Sequence, residues 1–385
     1  MQNSNVSLAS KLPGIEQSIF SIMTALAQKH DAINLAQGFP DFNCRPDLIA
    51  AFTKYMQEGK NQYAPMPGIL PLREKIARKT QKLYGANYDP EKEITITAGA
   101  TQAIYTIIST IIKEKDEVII FEPAYDSYIP SILINKGAPK YVQLEPPFYK
   151  INWDQVKKLV TSKTRMIILN TPHNPSGTVF TKEDMTQLEK IVTNRDIIIL
   201  SDEVYEHIVF DGIKHESICR YPELAKRSFI VSSFGKTYHT TGWKLGYVLA
   251  PRDLTEEFRR VYSYAMFSAL TPAQYAYADI LDDEEHYLGL GEFYQKKRDI
   301  FLESIEGSKF IPIPCHGAYF QCLDYSAISK EGDRKLAEKL TKDIGVASIP
   351  TSVFYHDKLD YKVLRFCFAK SEETLRKAGE KLKSL

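Results

Sequence analysis

The sequence predicts an α/β protein: a large domain with a mainly parallel β-sheet flanked by helices, and a smaller α+β domain beside it. Three observations lead there. Short β-rich apolar runs alternate with helical patterns through the middle of the chain, 385 residues suffice for more than one core, and the pattern changes near both ends. Taken in order, Ile19, Met23 and Leu26 fall at helical spacing near the start. Ile94–Thr97 then precedes a helical stretch Gln102–Ile112, Glu117–Phe121 precedes Tyr125–Ile134, and Arg165–Leu169 precedes Thr181–Val192. Ile197–Leu200 and Phe229–Ser232 follow as further strands. Runs such as Val118–Phe121 and Ile197–Leu200 have the length of buried strands and fall far short of a bilayer span. From about Thr271 long helical stretches lead into strand–helix alternation, ending with Leu364–Phe368 and a final helix. The expected division is a small domain of residues 1–35 and 285–385 and a large domain of residues 36–284.

Composition narrows the function. Lys and Arg total 49 against 48 Asp and Glu, and there is no basic stripe to gather phosphate backbones, so nucleic-acid binding is not expected. The five cysteines (Cys44, Cys219, Cys315, Cys322, Cys367) are odd in number and form no CxxC pair. This speaks against a disulfide framework or a zinc ribbon and for a reducing compartment. The first residues hold no apolar stretch of signal-peptide length, so a cytoplasmic location without a membrane anchor is expected. No HExxH occurs, and His207 and His215 fall in a loop-like segment without a ligand set, so no metal is expected.

Parallel sheets bind ligands beyond the carboxyl ends of their strands, and four such strand ends carry reactive residues. Lys236 follows the run Phe229–Ser232 in Ser232-Ser-Phe-Gly-Lys236; alone it reads as a solvated loop lysine. Asp202 ends an apolar run, where burial raises its pKa unless a cation faces it; alone it reads equally as a helix cap. Asn174 lies in the run NTPHNPSGTVF that starts at Asn170, a turn whatever its function, and its amide, like the Tyr205 hydroxyl, can donate to a ligand oxygen. Gly99, Ala100 and Thr101 sit between strand and helix, where small residues and free N–H groups admit a phosphate. There is no GxGxxG and no Walker motif, so this loop is weak by itself.

In this order, the four strand ends resemble the aminotransferases of pyridoxal-phosphate fold type I (class I/II). The match is carried by Ala36-Gln-Gly38-Phe-Pro-Asp-Phe42, Asn61-Gln-Tyr63-Ala-Pro65, Ser233-Phe-Gly-Lys236 and Thr241-Gly-Trp-Lys244-Leu-Gly246, and runs from about Lys11 to the carboxyl terminus. Within that family the chain is similar to the branch of kynurenine, glutamine and methionine aminotransferases. The bacterial methionine aminotransferases are the nearest likeness, through SDEVYEHI and SSFGKTYHTTGWK.

The resemblance implies a pyridoxal 5'-phosphate cofactor with Lys236 as its Schiff-base lysine and Asp202 as partner of the pyridinium nitrogen. It implies Asn174 and Tyr205 at the 3-hydroxyl, and Tyr125 stacked on the ring. Gly99, Ala100, Thr101, Ser233 and Lys244 would hold the phosphate. Many members have arginine at the place of Lys244; lysine keeps the charge and gives up bidentate contact. Arg365, with the Gly38 backbone and Asn174, would bind the substrate carboxylate. Tyr63 would reach the phosphate of a neighbouring subunit, which implies a homodimer with shared active sites.

The activity implied is ping-pong transfer of an amino group from an L-amino acid to a 2-oxo acid. In aspartate-specific relatives a partner arginine serves the distal carboxylate, and the corresponding stretch here, Tyr262–Ser268, is aromatic and uncharged. With Tyr125 and Ile15–Ile19 nearby, the expected substrates are neutral, sulfur-containing or aromatic, methionine above all. β-Elimination at cysteine conjugates on the same scaffold is the alternative. Two readings from other classes fare worse. Ser233-x-x-Lys236 matches the first motif of β-lactamase-like acyl transferases, but their S-D-N and K-T-G partners are missing. A transcription regulator borrowing this fold would need a DNA-binding domain for which the chain has no spare length.

Overall fold

The computed structural model describes residues 8–385, so residues 1–7 of the segment expected in the small domain lie outside the description. Its strands are β1 (Ile33–Asn34), β2 (Ile94–Thr97), β3 (Glu117–Glu122), β4 (Ala138–Gln143), β5 (Thr164–Asn170), β6 (Ile198–Asp202) and β7 (Ser228–Ser233). These are followed by β8 (Gly246–Leu249), β9 (Ile311–Pro312), β10 (Phe320–Asp324), β11 (Val346–Ala347), β12 (Ile349–Pro350) and β13 (Val363–Cys367). Seven of them form the central sheet in the order β2-β8-β7-β6-β5-β3-β4. The pairs from β7 through β4 are parallel, as expected. Strands β3 and β6 are buried along their whole length and β5 nearly so, which is why they read as unbroken apolar runs rather than alternations.

Strand β8 was not foreseen. It runs antiparallel between β2 and β7. Four residues beginning with glycine carry little β-signal, yet that glycine is what permits the pairing: a Cβ on Gly246 would stand 2.5 Å from the Ser232 carbonyl oxygen.

Helices cover both faces. α1 spans Ile19–Lys29, α2 Pro46–Gln57, α3 Leu70–Tyr84, α4 Ala100–Ile111 and α5 Tyr128–Ile134. α4 buries Ala103, Ile104, Ile107, Ile108 and Ile111, a stripe at helical spacing against the sheet. α5 begins three residues later than the sequence suggests. The Ala124 N–H donates to the Phe354 carbonyl and Tyr128 N–H closes a turn onto the Tyr125 carbonyl, so residues 124–127 are held outside the helix.

A second, antiparallel sheet has the order β12-β13-β10-β9, and β1 pairs in parallel with β11. Arg365 lies in the middle of β13, flanked by β10 and β12. Among the described residues no helix is long and apolar enough to cross a membrane.

Candidate active site

At the carboxyl edge of the central sheet the chain encloses a cavity of about 210 Å³. Its lining includes Gly38, Gly99, Ala100, Thr101, Tyr125, Asn174, Asp202, Tyr205, Ser233, Lys236, Lys244 and Arg365, so these residues singled out in the sequence meet in one place. Tyr63 is the exception. It is 81% exposed on the surface, with its ring edge-on to Phe267 at 5.2 Å.

The floor is made by strand ends. Asp202 closes β6, and its Oδ2 accepts a hydrogen bond from the Tyr128 hydroxyl at 2.6 Å, while Val204 N–H donates to Oδ1 at 3.3 Å. Burial pushes this carboxyl up to about 6; the Tyr128 and Val204 bonds and Lys236 pull the other way without overcoming it. Asn170, at the end of β5, ties the turn together: its Nδ2 donates to the Asp202 carbonyl at 3.0 Å and its Oδ1 accepts from Asn174 N–H at 2.8 Å.

Lys236 lies on the short helix Phe234–Thr237 that follows β7. Its ammonium donates to the Tyr319 hydroxyl at 2.7 Å and to the Gly38 carbonyl at 3.2 Å. Burial lowers its pKa to about 8, with Lys244 and Arg365 adding to the fall and Cys367 and Asp202 opposing it. A base poised there exchanges protons near neutral pH.

On one side of the cavity α4 starts at Ala100, and Gly99 just before it has φ +81°, a conformation that side chains rarely adopt. The first N–H groups of the helix have no intrahelical partner and can donate to an anion, with the exposed Lys244 beside Gly99. Thr101 Oγ1 and the Tyr125 hydroxyl are 3.4 Å apart above it.

Opposite lies Arg365, fully buried. Nη1 donates to Asn174 Oδ1 at 2.7 Å and Nη2 to the Ala36 carbonyl at 2.8 Å, while Nε has no partner. Phe320, Phe20 and Phe354 surround the guanidinium at 4.0, 5.1 and 5.7 Å. No acid pairs with it among the described residues. A buried guanidinium with aromatic walls and no acid partner is built to receive a carboxylate. Because Arg365 can only donate, it takes the Asn174 oxygen, and the Asn174 NH₂ is left free for another acceptor.

Sequence reasoning missed Phe20, Gln37, Asn170 and Phe320 in the lining, and Tyr128 and Tyr319 behind it. Phe20 lies one residue beyond the Ile15–Ile19 segment expected there; Ile15 itself is 42% exposed. The histidines expected in a loop-like segment are buried: His215 Nε2 lies 2.8 Å from Glu203 Oε2, and His207 Nε2 lies 2.9 Å from Lys79 Nζ. Apolar Ile208 and Phe210 and the contact with Tyr287 draw that segment into the core.

Over residues 30–382 the sequence matches the family described as Aminotransferase class I and II. It is 47% identical to the methionine aminotransferase of Escherichia coli K12, with all of both chains covered. To the kynurenine–oxoglutarate transaminase of Dictyostelium discoideum it is 33% identical, covering 96% of this chain and 94% of that one. Among solved structures, an Escherichia coli protein with a methionine aminotransferase function superposes with a TM-score of 0.96 at 47% identity, over 99% of this chain and 100% of that one.

Proposed function

The chain belongs to the class I and II aminotransferases, and from that premise we propose that it transfers the amino group of a neutral, sulfur-containing or aromatic L-amino acid, methionine first, to a 2-oxo acid. One observation carries the substrate reading. Among the described residues three cations line the cavity, Lys236, Lys244 and Arg365, and each has a task that leaves none of them for a second carboxylate. Arg365 takes the α-carboxylate, Lys244 an anion at the start of α4, and Lys236 the proton. A distal carboxylate would be buried without a partner, whereas a thioether or aromatic ring suits the walls formed by Phe20 and Tyr125. The similarity to methionine aminotransferase points the same way.

The family uses pyridoxal phosphate, and the residues fit it. Asp202 is a buried acid pushed up to about 6, which a cationic ring nitrogen would relieve, and the cavity joins it to an anion site and a lysine. When bound, the cofactor supplies an electron-withdrawing ring that makes the substrate α-proton acidic. Asp202 would hold its nitrogen, Asn174 and Tyr205 its 3-hydroxyl, and Tyr125 its face. Gly99, Ala100 and Thr101 with Ser233 and Lys244 would hold the phosphate. Lys236 would hold the cofactor at rest and would be the base that moves the substrate α-proton. Gly38 and Arg365 would fix the carboxylate so that the Cα–H bond stays in reach of Lys236. Two successive half-reactions of this kind give ping-pong kinetics.

The same reading divides the chain into residues 1–35 with 285–385 and residues 36–284, supported by the parallel pairing of β1 with β11. It also makes the working unit a homodimer. Tyr63 and Phe267, both exposed and with ring centroids 5.2 Å apart, form an aromatic patch that suits a second copy. Five free, buried cysteines support a cytoplasmic setting.

The test is a half-reaction screen that follows conversion of the cofactor to its amino form. Methionine should react faster than aspartate at equal concentration by about two orders of magnitude. Equal rates would refute the apolar-pocket argument, and release of ammonia and pyruvate from a cysteine conjugate would mark elimination instead.

A further inference from the structure

The Tyr319 hydroxyl, absent from the sequence reading, is 2.7 Å from Lys236 Nζ and 2.5 Å from the Gly38 carbonyl oxygen, and Nζ is 3.2 Å from that same oxygen. Chemistry sets the direction of each bond. A carbonyl only accepts, so Tyr319 gives its one proton to Gly38 and shows Lys236 only lone pairs. The amine must therefore donate to both oxygens. A neutral amine has two N–H bonds and one lone pair in tetrahedral array, and with both N–H bonds held the lone pair has one direction left. We infer that Tyr319, together with the Gly38 carbonyl, is a positioning residue that grips the Lys236 amine by its N–H bonds and turns its lone pair toward the substrate. This rests on the reading of Lys236 as the group that moves the α-proton.

The grip is rigid. Tyr319 is fully buried, its ring packed against Phe320, Tyr205 and Tyr294 at centroid distances of 4.9, 5.0 and 5.6 Å. Gly38 is held as closely, since a Cβ there would stand 2.9 Å from Phe320 Cζ. The same short segment supplies the Ala36 carbonyl to Arg365, so one stretch of backbone sets both the carboxylate clamp and the amine. Burial keeps the Tyr319 phenol well above its ordinary value, so it stays protonated and keeps its bond to Gly38.

The test is Tyr319→Phe, which keeps the ring and its packing and removes the oxygen. An ammonium donates more strongly than an amine, so losing this acceptor should lower the Lys236 pKa. In the full-length chain stripped of cofactor, the pH at which acetic anhydride half-labels Lys236 is expected to fall by roughly half a unit or more. The other groups that act on this amine, Asp202, Lys244, Arg365, Cys367 and Tyr205, are unchanged in the variant. In the loaded enzyme the methionine half-reaction should slow by about tenfold or more with an unchanged KM, and its isotope effect with α-deuterated methionine should rise. Should Tyr319→Phe fold poorly, 3,5-difluorotyrosine placed at this one position keeps ring and hydroxyl while weakening the oxygen as an acceptor, and should shift labelling the same way.

An unchanged half-labelling pH in both variants overturns the grip. A shifted pH with unchanged rate and isotope effect overturns its role in aiming the lone pair. Lys236→Ala separates the underlying reading: full half-reaction activity in that variant would refute Lys236 as the proton carrier whatever Tyr319 does.

Discussion

Asp202 shows what a single residue costs and contributes. Its carboxyl, ordinarily near 4, is pushed up to about 6 by burial. Its folded pKa therefore exceeds its unfolded one, so the cofactor-free fold loses stability as pH rises from about 4 through about 6. The penalty at neutral pH amounts to about 3 kcal/mol. Asp202→Asn should thus raise the melting temperature of the cofactor-free protein at pH 7, with the gain shrinking toward pH 4, while slowing proton abstraction by orders of magnitude. Calorimetry across that range together with the half-reaction rate checks both; a variant of unchanged rate would show that the ring nitrogen does not face this residue. Lys236 is tested more simply. Borohydride reduction of the loaded enzyme and peptide mapping should find the cofactor on Lys236 alone, and Lys236→Ala should retain cofactor through the phosphate site with nearly all turnover lost.

At the scale of elements, the turn after β6 faces two ways. Asp202 looks into the cavity, while Glu206, four residues on, turns into a buried network that binds three further elements. Lys79 on α3 donates to Glu206 Oε1, to His207 Nε2 and to the Tyr247 hydroxyl on β8, each at 2.9 Å. Ser232 on β7 and Tyr84 on α3 donate to the two Glu206 oxygens at 2.6 Å. Burial alone would push the Glu206 carboxyl up, but the Lys79 ammonium and these hydroxyls more than offset it and hold it well below the usual range. Burial and Lys79 lower His207 to about 3, so it is neutral and accepts from the ammonium. Removing one partner strands a buried charge. Lys79→Met should cost about 3–5 kcal/mol in chemical denaturation, and adding Glu206→Gln should recover much of that loss. A neutral Lys79→Met would mean that water reaches the network.

At the scale of the molecule, the cavity has walls from distant parts of the chain: Phe20 and Gly38 early, the central strand ends, and Phe320 and Arg365 late. Tyr63 lines none of it and stands exposed beside Phe267. If Tyr63 of the partner subunit completes each site, mixing Tyr63→Phe subunits with Lys236→Ala subunits forms some dimers in which one site carries neither defect. Activity should then rise above that of either parent alone. Activity that stays at the parental level in a mixture shown to have exchanged subunits would assign Tyr63 to its own chain.

How much of this was legible before folding follows from the range of each interaction. The β3, β5 and β6 runs could be read because burial on both faces demands uninterrupted apolar residues, a local signal. Asn174, Asp202 and Lys236 could be read because each sits at or just beyond a strand end, in an order that resembles the aminotransferases, and Arg365 because that resemblance places it, among Val363, Leu364, Phe366 and Phe368, at the substrate carboxylate. Other partners carried no such mark. Tyr128 meets Asp202 across 74 positions, Tyr319 meets Lys236 across 83, and Lys79 meets Glu206 across 127. Each of those tyrosines has the composition of an ordinary core aromatic, and Lys79 that of a helix surface. The chain's local patterns sufficed for the α/β class, the strand ends and the family. Which hydroxyl meets the lysine, which hydroxyl meets Asp202 and which lysine enters the core are set by packing between distant segments, because hydrogen-bond geometry exists only once those segments are brought together.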